Sequence, residues 1–244
     1  MTDTDTSKDR LPLIGDEAPA FTAETTQGMI DFPKDFNGRW VILFSHPADF
    51  TPVCTTEFMT FSKLADQFKA LNTELIGLSV DSLSSHIAWL HEIEKQVKFN
   101  GMENMRINFP LIADLSMHIA KKYGMIHPGS SDTKAVRAVF FIDPKGIIRT
   151  ILYYPASTGR NFEEIKRILM SLQVADEFGR STPADWQPGD DVIVPNPSTL
   201  DGADKCSGKN KQSTCAWFLS TEPLQKEKID EKLKKKQKTN KRTS

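Results

Sequence analysis

A compact strand run, a proline-bounded loop and an amphipathic helix follow one another over residues 39–71. No other stretch limits the fold as much. RWVILFS (39–45) is rich in β-branched and aromatic residues without polar alternation, the pattern of a strand buried on both faces. HPADFTPVC (46–54) follows, and Pro47 and Pro52 stop the strand and stiffen a tight loop. From Thr55 the period changes. Phe58, Phe61, Leu64, Phe68 and Leu71 recur at three- and four-residue spacing and predict a helix with one apolar face.

The alternation continues. ELIGLSV (74–80) reads as a second buried strand, and Asp81 or Ser82 can cap a helix whose inner face carries Ile87, Leu90 and Ile93. FPLIAD (109–114) reads as a short strand and LSMHIAKKYG (115–124) as a short helix closed by Gly124. AVRAVFFID (135–143), the turn PKG (144–146) and IIRTILYYP (147–155) read as a hairpin. NFEEIKRILMSLQVADEF (161–178) is a long amphipathic helix. Before the first strand, residues 1–12 read as a loose leader, and Pro19, Gly28, Pro33 and Gly38 punctuate a small hairpin within 13–38. The pattern is that of an α/β protein: a mixed sheet flanked by helices on both faces, with one antiparallel edge. After Gly179 the texture changes. TPADWQPGDDVIVPNP (182–197) is proline-rich and predicts order with little regular structure, and a short helix is expected around 222–235. This extension is too small to fold alone and is expected to pack on the main body or on another subunit.

The 244 residues suit one large domain with an appendage. No run approaches the roughly 18–20 apolar residues of a membrane helix, so no membrane partner is expected. The start, MTDTDTSKDR, lacks the basic and apolar regions of a secretory signal, which favours a cytoplasmic location. Residues 225–244 hold nine Lys/Arg against three Asp/Glu, while the rest holds 22 basic and 29 acidic side chains. No aromatics interleave with these lysines, so the tail reads as a solvated, frayed terminus rather than a nucleic-acid surface.

Three cysteines, Cys54, Cys206 and Cys215, are too few for a disulfide-stapled scaffold. Cys54 lies where the buried strand passes through the proline loop into the helix. A cysteine in the first helical turn faces free backbone N–H groups and the positive end of the helix dipole, and both stabilise a thiolate. Thr51 and Thr55 beside it can cap the helix or bind a polar ligand. The competing reading is a small buried apolar residue.

HPADFTPVCTTE (46–57) resembles the active-site signature of the peroxiredoxins, whose Pro-x-x-x-Thr-x-x-Cys core is matched by Pro47, Thr51 and Cys54. DFPKDFNGRWVILFSHP, GLSVDS, FPLIAD, AVRAVFFIDPKG and TPADWQPGDDVIVP are similar, in order, to blocks of the one-cysteine-type subfamily and its long-tailed archaeal relatives, over roughly residues 11–200. The resemblance implies a thioredoxin-like fold with a C-terminal extension. Its boundaries are expected at 8–170 for the domain, 171–235 for a dimer-associated extension and 236–244 for a basic disordered tail. It implies a thiol peroxidase, without a cofactor, that reduces hydrogen peroxide and organic hydroperoxides through a sulfenic acid. Cys54 would be the peroxidatic nucleophile, Thr51 would orient the peroxide, and Pro47 would shield the sulfur from water. Arg137 would pair with the thiolate and the peroxide oxygens; it sits on an apolar strand, where a charge is costly without a partner. His46 could tune the site or merely pack. Glu57 could position an arginine or sit in the first helical turn for the dipole. His86, His91, His118 and His127 have no metal-ligand spacing and read as structural, and no metal is expected.

Ionisation alone cannot supply the catalysis. A thiol of pKa about 8.5 is roughly 3% ionised at pH 7, and lowering that value by two units gains about 25-fold, under ~2 kcal/mol. Enzymatic acceleration needs at least about 8 kcal/mol. The rest must come from alignment and from donors placed where charge develops on the leaving oxygen.

For recycling, the long-tailed relatives imply that a tail cysteine of one subunit resolves the sulfenic acid of its neighbour. Cys215, just before Trp217–Phe218, is the first choice for an interchain bond with Cys54, and Cys206 would exchange with Cys215. An external thiol such as thioredoxin is the alternative. The family also implies a homodimer and its assembly into a decamer, a pentamer of dimers. A Gly-x-Ser-x-Gly element of some relatives is absent at FNGRWV (36–41), so a lipase activity has no support. Competing classes are a holdase-like assembly and a disulfide reductase, the latter disfavoured because Cys-x-x-Cys is missing at the helix start.

Overall fold

The computed structural model describes residues 10–208 and 214–243, and the side chains of 10–204 and 216–234. Most of the expected leader, residues 1–9, lies outside the described residues. The chain divides into two compact units, one ending at Arg160 and one beginning at Asn161. A boundary after residue 170 would have cut a helix; the division falls at that helix's N-cap instead.

The first unit contains β1 (Phe21–Thr25), β2 (Gly28–Phe32), β3 (Trp40–Ser45), α1 (Pro52–Ala70), β4 (Thr73–Ser79), α2 (Leu83–Lys95), β5 (Leu111–Ala113), α3 (His118–Lys122), β6 (Arg137–Ile142) and β7 (Ile148–Tyr154). The seven strands form one sheet in the order β2-β1-β5-β4-β3-β6-β7. Only β5, β4 and β3 run parallel; β6 lies antiparallel against β3, and β1 antiparallel against β5. Antiparallel pairing thus borders the parallel centre on both sides, where a single antiparallel edge was expected. β3 and β6 are buried along their whole length, so side-chain alternation carries no sign of their relative direction.

Strand pleating sends alternate side chains to opposite faces. On one face Phe44 stacks on Phe61 of α1 at 4.2 Å between ring centroids, and Phe58 of α1 meets Trp89 of α2 at 4.7 Å. Gly77 of β4 gives these rings room: a Cβ there would lie 3.0 Å from Leu111 and 3.2 Å from Phe44. On the other face Val41, Leu43, Ile76, Leu78, Ala138 and Phe140 join a core closed by Phe21, Phe32 and, after α3, Tyr123.

Several boundaries move for local reasons. α1 begins at Pro52 rather than Thr55, because proline suits the first helical position, where no N–H is needed. α2 is capped by the Ser82 side chain, which accepts from the Ser85 N–H. Its buried face carries His86, Trp89 and Ile93; Ile87, expected inside, is exposed and Leu90 half-buried. The 115–124 helix shrinks to five residues, since Met117 before it takes a left-handed conformation.

The second unit contains α4 (Phe162–Phe178), β8 (Val192–Ile193), α5 (Leu200–Gly208), β9 (Thr214–Ala216), β10 (Leu219–Glu222) and α6 (Lys226–Thr243). Asn161 caps α4 by accepting from the Glu163 and Glu164 N–H groups, and Gly179 ends it in a left-handed conformation. β8, β10 and β9 form a small antiparallel sheet, Trp186 is buried, and α6 packs on α4 with Ile229 and Leu233 buried. The helix expected around 222–235 runs on to Thr243, so most of 236–244, read as a disordered tail, is helical backbone; lysine and glutamine are good helix formers. Among the described residues no helix is long and apolar enough to cross a membrane.

Candidate active site

The loop between β3 and α1 is held at each step. The Ser45 hydroxyl donates to Val136 O at 2.6 Å and accepts from the Ala138 N–H, tying the end of β3 to the start of β6. The His46 N–H donates to Leu78 O, extending the ladder with β4. Pro47 is buried. Phe50 adopts a left-handed conformation (φ 54°), which turns the chain, and Thr51 returns to extended geometry as the N-cap of α1. Its hydroxyl donates to Ala48 O at 2.8 Å rather than capping the helix. With Pro52 first in the helix, Cys54 falls in the first turn. The first intrahelical bond runs from Thr55 N to Thr51 O, so the Val53 and Cys54 N–H groups precede it, at the positive end of the dipole. Cys54 is fully buried.

Arg137, first residue of β6, donates from Nη1 to Cys54 Sγ at 3.3 Å and to Glu57 Oε2 at 2.7 Å. Its Nε and Nη2 donate to Ala156 O at 3.2 and 2.8 Å. Of the two readings of Glu57, pairing with an arginine is the one the structure displays: Cys54 and Glu57, three apart, share a helix face. Glu57 also holds a second arginine. Arg160 donates from its backbone N and Nε to Oε1 at 2.8 and 2.9 Å, and from Nη2 to Oε2 at 2.6 Å. Its Nη1 reaches Ser45 O and Ala138 O, and its guanidinium lies 5.1 Å from the Phe44 ring centroid. Burial alone would raise the Glu57 carboxyl, but Arg160 and Arg137 outweigh it and hold it below its ordinary value. Two cations share one carboxylate in a buried site.

A second network lies on the other side of the loop. Asp49 is buried and faces two imidazoles: His46 Nε2 at 3.0 Å from Oδ1 and His86 Nδ1 at 2.8 Å from Oδ2. Burial would raise the Asp49 carboxyl, yet the two ring hydrogen bonds hold it well below the carboxylate range. His46 is pushed below its ordinary value chiefly by burial. Its ring stacks on Trp89 at 5.2 Å and meets Phe58 edge-on at 4.8 Å, so it both packs and abuts the first turns of α1. His46, Asp49 and Asp81 each bring a ligand atom within 4.8 Å of the others. However, these carboxylates already accept from His46, His86, Ser79 and the Asp49 N–H.

The first unit therefore brings together Cys54, Glu57 and Arg137, with Pro47, Thr51 and His46 on the adjoining loop. Sequence reasoning missed Arg160, Asp49 and His86. His86 was discoverable: an inner face at 86, 89 and 93 fits the helical period as well as 87, 90 and 93, and it places the large Trp89 inside. Arg160 lies in a turn with no periodic pattern to mark it. Cys206 falls in α5 and Cys215 in β9 of the second unit; their side chains lie outside the described residues.

Residues 14–151 match the AhpC/TSA family, and residues 171–208 match the C-terminal domain of 1-Cys peroxiredoxin. A peroxiredoxin of Methanosarcina mazei is 60% identical over 211 residues, which cover 86% of this chain and 96% of that one. A peroxiredoxin of Aquifex aeolicus is 55% identical over 205 residues, 80% of this chain and 90% of that one. Among solved structures, a yeast mitochondrial 1-Cys peroxiredoxin superposes with a TM-score of 0.74 at 38% identity, covering 88% of this chain and 100% of that one. The C45S mutant of peroxiredoxin 6 of Arenicola marina superposes with a TM-score of 0.73 at 34% identity, covering 86% and 97%.

Proposed function

The chain belongs to the peroxiredoxin family, a family of peroxidases with a thioredoxin-like fold and here a C-terminal extension, and from that premise we propose that Cys54 reduces hydrogen peroxide and small organic hydroperoxides. The Cys54 thiolate attacks the terminal peroxide oxygen and the O–O bond breaks. The sulfur becomes a sulfenic acid, and the departing oxygen takes a proton and leaves as water or an alcohol. The observation that carries this reading is the double engagement of Arg137 Nη1, 3.3 Å from Cys54 Sγ and 2.7 Å from Glu57 Oε2. A donor fixed by a carboxylate next to the sulfur can follow charge from thiolate to leaving oxygen without reorganising. The Thr51 hydroxyl spends its proton on Ala48 O, so it offers a lone pair to the peroxide O–H. Pro47 keeps water from the sulfur.

Cys54 has no exposed surface, so a resolving thiol reaches it only when the first turn of α1 moves. In our reading Cys215 of a partner subunit supplies that thiol, Cys206 exchanges with it, and a reductant such as thioredoxin completes the cycle in a cytoplasmic homodimer that builds a decamer. The match to the C-terminal domain of 1-Cys peroxiredoxin favours a second reading, resolution by an external thiol. For the yeast mitochondrial protein, thiol resolution runs via glutathione/thioredoxin systems. Peroxide consumption in wild type and Cys54→Ser tests the core of the proposal. Abolished consumption in the variant supports it, and full activity would sink it.

A further inference from the structure

The His46–Asp49–His86 network fixes its own protons. His86 Nε2 lies 3.1 Å from Ile112 O. A backbone carbonyl only accepts, so Nε2 carries a proton and donates. On the other side of the ring, Nδ1 lies 2.8 Å from Asp49 Oδ2, a contact of two lone pairs unless a proton sits between them. His86 is therefore anchored at both ring nitrogens, to β5 on one side and to the active-site loop on the other. The second Asp49 oxygen accepts from His46 Nε2 at 3.0 Å. Of the four ring nitrogens, His46 Nδ1 alone has no hydrogen-bond partner among the described residues, and it is fully buried. With Nε2 donating, that atom presents a bare lone pair. The loop's backbone is gripped as well: the Asp49 N–H donates to Asp81 Oδ2 at 3.0 Å, and the same oxygen accepts from the Ser79 hydroxyl at 2.7 Å.

Resting on the peroxidase reading above, we infer that His86 is a positioning residue of the reaction. Acting through Asp49, it holds His46 in the tautomer with a protonated Nε2 and a bare Nδ1, and it sets the Pro47–Thr51 loop against the first turn of α1. Filling space on the buried face of α2 does not require an imidazole. Well-packed apolar residues are often as stabilising as a buried charged network, and they would leave nothing unsatisfied. What an apolar residue cannot do is present one donor to the Asp49 carboxylate and another to Ile112 O at once. The carboxylate between two rings works as the acidic member of a catalytic triad does, selecting which nitrogen of its neighbour is left free.

The test uses the full chain labelled with 15N-histidine. Long-range 1H–15N spectra of the reduced wild type are expected to show His46 protonated at Nε2 and bare at Nδ1; protonation at Nδ1 instead overturns the inference. Oxidation of Cys54 by hydrogen peroxide is then followed by stopped-flow tryptophan fluorescence in three variants. His86→Leu is expected to lose the single His46 tautomer and to slow oxidation about 10- to 100-fold. His86→Asn keeps an N–H near the Nδ1 position and is expected to restore both readouts. His86→Gln reaches Ile112 O instead and is expected to stay slow. A folded His86→Leu protein with the wild-type rate and wild-type His46 signals overturns the inference, and so does Asn performing no better than Gln. Should His86→Leu not fold, the wild-type spectrum and the Asn–Gln comparison still decide. A wild type that consumes no more peroxide than Cys54→Ser overturns the peroxidase reading itself. The His46 spectrum, which needs no turnover, tells that failure apart.

Discussion

Replacing Glu57 by glutamine tests whether the carboxylate holds the two arginines. Its oxygens accept four hydrogen bonds, two at Oε1 from Arg160 and two at Oε2 from Arg160 and Arg137. A glutamine has one oxygen and one NH₂. Whichever way it turns, two N–H donors face an N–H donor, and two buried guanidinium groups lose their counter-ion. Removing one partner of a buried ion pair costs about 3–5 kcal/mol, against a total stability of about 5–15 kcal/mol. Urea denaturation at pH 7 should show a loss of about 3 kcal/mol or more. The pH dependence is the sharper check. The folded protein holds the Glu57 carboxyl below its ordinary 4.5, because Arg160 and Arg137 outweigh the opposing effect of burial. Its stabilisation is therefore complete above about pH 4.5 and is lost as the pH falls from there through the folded-state value. Wild type and Glu57→Gln should converge on that acidic limb, since protonation does what the substitution does. The peroxide rate should fall too. If freeing Arg137 costs one charged hydrogen bond in the transition state, about 1.5–3 kcal/mol, oxidation slows by about 10- to 150-fold. A loss under about 1 kcal/mol with the same gap at pH 7 and pH 4 would refute this account of Glu57.

Cys54→Ser is expected to abolish peroxide consumption while Cys206→Ser does not, as read by loss of added hydrogen peroxide. After one equivalent of peroxide, a non-reducing gel should show a covalent dimer that disappears in Cys215→Ser; a monomer in every lane would instead establish resolution by an external thiol. Gly77→Ala should destabilise by about 1–3 kcal/mol, lowering the melting temperature. The new Cβ would press on Leu111, Phe44 and Phe58 at 3.0, 3.2 and 3.4 Å, and an unchanged melting temperature would contradict that packing.

The strand–loop–helix unit around Cys54 was legible because three independent signals agree: an unbroken apolar run, two prolines and a helical period. Arg137 was singled out by the family resemblance, and its position as a lone charge in an apolar strand, costly without a partner, agreed with that. Glu57 stood between two readings because a carboxylate in a first helical turn is stabilised by the dipole whether or not a cation meets it. Arg160 left no trace, since its partners are Glu57 and the carbonyls of Ser45 and Ala138, all remote in sequence. His86 was read only as structural, with the inner face assigned to the apolar Ile87, Leu90 and Ile93. A buried imidazole is accommodated there because both ring nitrogens find buried acceptors, at Asp49 and Ile112.

Strand direction, the feature least visible in the chain, is also the one the site depends on most. β3 and β4 end, and α1 and α2 begin, at the same edge of the sheet, where parallel strands place helix N-termini and the loops that bind ligands. β6 runs the other way, with Phe44 opposite Val139, so its first residue falls beside the end of β3. A parallel β6 of six residues would put Arg137 at the opposite edge, about 20 Å away. β7 returns antiparallel, with Tyr154 opposite Arg137, and delivers Ala156 and Arg160 to the same edge. The antiparallel pair thus brings two guanidinium groups to the positive end of α1, which alone would repel them. Glu57 on α1 compensates one unit of that charge. The same edge also carries Cys54, whose sulfur accepts from Arg137 Nη1 at 3.3 Å.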